Sequence, residues 1–70
     1  MSGTFKLVTL VGTSSDSYEQ AIQNAIQDAS ASLRNLSWFE VTELRGRIAG
    51  GQVAEYQAKI QAGFKVEIDT

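Results

Sequence analysis

From Ala54 to Ile68 the chain alternates without a break. Ala54, Tyr56, Ala58, Ile60, Ala62, Phe64, Val66 and Ile68 are apolar, and the residues between them (Glu55, Gln57, Lys59, Gln61, Gly63, Lys65, Glu67) are polar or glycine. Successive side chains of a strand point to opposite faces, so a period of two predicts a strand with one buried and one wet face. A helix would scatter the same apolar residues all round its axis. Fifteen residues at about 3.3 Å each would span roughly 50 Å. A compact chain of this size has a radius of gyration of about 11 Å, hence a diameter near 30 Å. The strand must therefore bend sharply, or leave the globule and be covered by something else. Another copy of the same chain is the simplest cover.

Composition narrows the ways such a chain can be stabilised. Seventy residues make one domain, and domains this small usually need disulfides, a metal or oligomerisation. The chain has no Cys and no His, which removes disulfides, zinc fingers and His-based catalysis. Self-association is what remains. A net charge of −2 argues against nucleic acid, which calls for a basic face. No apolar run approaches the about 18 residues of a membrane span, and the N-terminus lacks a signal-peptide pattern. A soluble, cytoplasmic protein is the expectation. With no Pro in the chain, nothing interrupts long strand ladders.

Ahead of the alternating run, Thr4 to Val11 is rich in β-formers and reads as a first strand, with apolar residues on both parities. Gly12 to Asp16 carries turn and cap residues. Ser15 or Asp16 can cap a helix, and Asp16 with Glu19 has capping-box spacing. The helix then runs about five turns to roughly Arg34. Tyr18, Ala21, Ile22, Ala25, Ile26, Ala29 and Leu33 form its apolar stripe, with Leu36 a further candidate at its end, and Asn35 suits a C-terminal stop. A second strand covers Ser37 to Ile48, and Gly50-Gly51 gives a tight hairpin into the third. The order is β-α-β-β, an α+β two-layer unit with one helix on a three-stranded antiparallel sheet, the third strand in the middle.

A two-residue loop at Gly50-Gly51 sets the register Ala49 to Gln52, Leu44 to Gln57 and Phe39 to Ala62. Phe39 and Val41 then join Ile60 and Ala62 on the helix-facing side. Trp38, Thr42 and Leu44 fall on the outer face with Gln57. A bulge near Thr42-Glu43 would change this. On the unbulged register, the one Trp of the chain points away from its own helix.

Chemistry-bearing constellations are few. No Ser stands in a nucleophile-elbow setting, and Glu40, Glu43 and Glu55 read as solvated strand carboxylates rather than an acid/base pair. Gly50-Gly51 precedes no helix and is a turn rather than a phosphate loop. Trp38 admits two readings: an aromatic capping a subunit contact, or a stacking platform for a planar ligand with Gln57 offering an amide beside it. Arg45 can hold an anionic group or pair with Glu43 or Glu55.

Val11-Gly12-Thr13-Ser14, Trp38-Phe39-Glu40-Val41, Arg45-Gly46, Tyr56-Gln57 and Gly63-Phe64 together resemble the dodecin family. They run in the family's order, at near-constant spacing, over nearly the whole chain. No piece is specific alone; the combination is. The resemblance implies a small flavoprotein assembled as a hollow homododecamer that stores or sequesters flavin (FMN, riboflavin or a relative) without turning it over. It implies that Trp38 stacks on flavin, that Gln57 hydrogen-bonds it and that Arg45 helps hold it. Some bacterial members also carry coenzyme A, for which no local motif stands out here, and Lys65 receives no ligand role. On the register above, Trp38 and Gln57 lie about six residues apart, roughly 20 Å, so unless a bulge closes the gap, both reach one flavin only from different subunits. Two other readings stand beside this one: a ligand-free structural assembly module, and a flavin-using enzyme, which the lack of any nicotinamide site disfavours.

Overall fold

The computed structural model describes residues 3–66. Four elements follow one another: β1 (Phe5–Ser14), α1 (Tyr18–Ser30), β2 (Leu36–Ala49) and β3 (Gln52–Lys65). They form one antiparallel sheet in the order β1-β3-β2, with the alternating strand in the centre as expected. The fold is the α+β two-layer unit that the pattern implies. Glu67 and Ile68 lie outside the described residues. Val66 still donates its N–H to the Thr4 carbonyl at 3.0 Å, continuing the pairing.

Local chemistry sets the ends of these elements, in several places away from the expected residues. β1 runs on to Ser14 rather than stopping at Val11, because its pairing to β3 continues to Ser14 opposite Tyr56. The helix cap is Ser17, not Ser15 or Asp16: its side chain accepts from the Gln20 N–H at 3.0 Å. Ser14 is occupied in accepting from the N–H of Asp16 at 2.9 Å. The helix closes at Ser30, about one turn before Arg34. Asn35 does take the left-handed conformation (φ 63°), but as the bend into β2. Gly50 and Gly51 have φ of 60° and 74°, the paired positive values of a type I′ hairpin turn.

Two compensating bulges correct the sequence-based register. Ala49 pairs with Gln52 and Phe39 with Ala62, as the two-residue loop requires. Between them the register shifts by one at Arg47/Ile48 and back at Val41/Glu43. Arg45 therefore faces Gln57, and Leu44 faces Ala58 on the helix side rather than standing on the outer face. Thr42 is the extra residue of the second bulge, its hydroxyl donating to the Lys59 carbonyl at 3.1 Å.

Helix α1 packs chiefly on β1 and β3. Ala21, Ala25 and Ala29 are buried against Ala58, Ile60 and Ala62, and Ile60 is the one large side chain wholly buried among the described residues. Such small side chains let the helix come close to the sheet. Phe39, Val41 and Leu44 share the helix-side face yet stay 42–54% exposed, because the helix does not extend over β2. The radius of gyration is 14.6 Å and the longest extent 57 Å, against about 11 Å for a compact chain of this length. With so little core, the chain is expected to show no folded monomer. Light scattering on a size-exclusion column should give one large species, and a folded monomer at micromolar concentration would contradict this.

Candidate functional site

The outer face of the sheet carries every candidate side chain. Trp38 stands opposite Gly63, which in turn pairs with Leu7 on β1. The indole lies over Gly63, so that a Cβ built there would come 2.6 Å from Trp38 Cζ2 and 2.9 Å from Cδ2. Phe5 meets the indole as a T-shaped pair, with centroids 6.0 Å apart and planes at 63°. Trp38, Phe5 and Leu7 remain 43%, 43% and 48% exposed. This end of the face is thus a shallow aromatic platform, seated from beneath and open to something else.

The opposite end of the same face is polar. Arg45 and Gln57 are directly paired across β2 and β3, with Thr13 beyond on β1. The Gln57 amide donates to Glu55 Oε1 at 2.9 Å. Arg45 lies 3.7 Å from Glu43, and Lys59 is 3.9 Å from the same carboxylate oxygen. These ion pairs are more than half exposed at Arg45 and Glu43, so they contribute little and yield readily to a ligand's anionic group.

The structure therefore brings Arg45 and Gln57 together and leaves Trp38 apart from both. Gln57 lies six residues along β3 from Gly63, the partner of Trp38, which is roughly 20 Å. Two residues that seat the indole received no site role in the sequence reading: Phe5, and Gly63, which entered only through the Gly63-Phe64 pair of the resemblance. A signal for Gly63 was present, since it is the one side-chain-free position among the outward-facing residues of the alternating run. Among the described residues no group of three or more His, Cys, Asp or Glu side chains converges as a metal site. No helix among them is long and apolar enough to cross a membrane.

A two-layer β-α-β-β chain with a minimal core, a tryptophan platform and a distant polar pair on one uncovered sheet face defines the class: a small α+β chain whose candidate site lies open on its sheet. Comparison with known proteins gives the family. The dodecin family profile matches residues 4–67. Dodecin of Thermus thermophilus is 48% identical over 67 residues, 96% of this chain and 97% of that protein. Dodecin from Streptomyces davaonensis superposes with a TM-score of 0.92 at 41% identity, covering 97% of this chain and 100% of that one. A more distant structure is the calcium dodecin of Mycobacterium tuberculosis, described as calcium-chelating. Its TM-score is 0.79 at 27% identity, over 96% of each chain. The chain belongs to the dodecin family.

Proposed function

We propose that this protein is a cytoplasmic flavin-binding store, not an enzyme, which holds FMN, riboflavin or a related flavin in a homododecameric shell. The observation that carries the reading is the Trp38 indole, laid across Gly63 on the outer face and still 43% exposed. Such a ring offers a planar ligand a stacking surface fixed from below. Gln57 supplies an amide able to donate and accept at the edge of the flavin ring, and Arg45 beside it a cation for an anionic group. The residue types fit the ligand, but the roughly 20 Å between Trp38 and Gln57 exceeds the length of an isoalloxazine ring. The complete site then takes Trp38 from one chain and Gln57 with Arg45 from another, so binding requires assembly.

Bound flavin absorbs light and is redox-active when excited. The work of the chain is to stack it, keep water away and return the excited ring to its ground state through the nearby indole. Coenzyme A is a second ligand proposed only by family resemblance. The test is direct: native protein should be yellow, or turn yellow with riboflavin, and its extracted small molecules should include a flavin by mass spectrometry. Protein that stays colourless at saturating riboflavin and FMN overturns the reading.

Gln57→Leu is expected to weaken flavin binding by about 1–3 kcal/mol, because buried polar groups of the ligand lose their partner. Assembly should be unchanged, since leucine keeps the bulk of the side chain. Isothermal titration with riboflavin measures the first and size-exclusion chromatography the second. Unchanged affinity would place Gln57 outside the site.

A second reading has its own observation. Phe5 and Leu7 beside Trp38 are as exposed as the indole, which is the make-up of a subunit contact that needs no ligand. The same colour test separates the two readings.

A further inference from the structure

We infer that Gly63 is a positioning residue for the stacking tryptophan: its missing side chain sets the height and tilt at which the Trp38 ring meets a flavin. The inference rests on the flavin reading above for its consequence, but its structural half stands without it. Glycine in a strand interior is less favourable than Ala, so its presence asks for a reason. Backbone conformation is not that reason. Gly50 and Gly51 have positive φ, whereas Gly63 does not, and any residue could adopt its strand geometry. Space is the reason. A Cβ at Gly63 would run into the indole at Cε2 and stand 2.6 Å from Cζ2 and 2.9 Å from Cδ2. The clash is with the Trp38 side chain alone among the nearest atoms, not with backbone.

The consequence for a ligand follows from the geometry. Gly63 is buried, and Phe5 meets the ring at 63° from the β1 side. The indole thus rests on a flat floor and is braced from one edge. An added methyl would lift and tilt the ring by the difference between these contacts and ordinary van der Waals separation, about 3.5–4.0 Å between carbons. Stacking depends on parallel planes at contact distance, so a tilted indole loses overlap with a planar partner while keeping its identity and its exposure. An alternative role is purely structural: an aromatic covering the bare strand at a cross-strand glycine, which stabilises the sheet. That role predicts that Ala at position 63 is harmless to binding once the sheet is covered.

The test is Gly63→Ala in the full chain, alone and combined with Trp38→Ala. Because Trp38 is the one tryptophan in the chain, intrinsic fluorescence and near-ultraviolet circular dichroism of ligand-free protein report on this ring. Gly63→Ala should change both signals, weaken riboflavin binding by about tenfold, and restore part of the flavin emission in the bound state. Gly63→Ala added to Trp38→Ala should change affinity no further. Wild-type affinity and quenching in assembled Gly63→Ala would overturn the proposal. If Gly63→Ala alone fails to assemble, the double variant decides: assembly restored by removing the indole upholds the seat, and continued failure shows that the backbone itself requires glycine. Should wild type bind no flavin at all, the function fails, while altered indole signals in Gly63→Ala still establish the seat.

Discussion

Trp38→Ala is expected to weaken riboflavin binding by roughly 1–3 kcal/mol, the scale of a lost aromatic stacking partner, and to restore the fluorescence of the flavin that still binds. The two effects have separate causes. Affinity falls because the planar ligand loses an apolar surface prepared for it by Gly63 and Phe5. Emission returns because indole, at stacking distance, can give an electron to the excited ring and take it back. In wild type the emission of added riboflavin should fall almost completely on binding. The assembly should survive, since Trp38 is on the outer face and the buried residues Ala21, Ala58, Ile60 and Ala62 are untouched. A fluorescence titration of both proteins measures both effects at once. If wild type never quenches and the variant falls apart, Trp38 is a subunit contact and the storage reading is wrong.

Gly12→Ala should have the largest effect on stability. Gly12 lies on β1 opposite Ala58, on the side covered by the helix. A Cβ there would collide with the Ala21 carbonyl oxygen and stand 2.8 Å from Ala25 Cβ. The first obstacle is backbone, so no rotamer change relieves it, and the whole helix must lift off Ala58 and Ile60. Overpacking of this kind costs about 3 kcal/mol or more at its upper end, which for a domain of this size lowers the melting midpoint by about 10–20 °C. Gly3→Ala is the control, because nothing lies within 4 Å of a Cβ at that position. Thermal scans followed by circular dichroism should show Gly12→Ala shifted or unfolded and Gly3→Ala unmoved. Equal midpoints would mean that the helix does not depend on this close approach.

Much of the candidate site was legible in the sequence because strand periodicity determines which face a side chain takes. Gln57 takes the outer face from the period of its own strand, and Trp38 stays there with it because the two register shifts cancel before Phe39 pairs with Ala62; one bulge alone would have turned Trp38 to the helix side. Arg45 was legible as a type but not as a place. One bulged residue reverses every facing between Thr42 and Arg47, and that reversal sets Arg45 across from Gln57 and turns Leu44 to the helix side. The stop of the helix at Ser30 was out of reach for a similar reason. Leu33 continues the apolar stripe by spacing, yet the chain must turn back toward β2 before that stripe is used up.

The β-α-β-β order and the central place of the alternating strand could be read from the chain alone. These follow from residue type and spacing, which act along the chain. Packing and pairing between elements set the rest: cancelling bulges keep Trp38 outward, the helix leaves Phe39, Val41 and Leu44 uncovered, Gly63 and Phe5 seat the indole, and Arg45 sits beside Gln57. Each of these depends on where one element lies against another. Side-chain volume and bulge position settle that jointly, and neither is expressed in the period of a single strand.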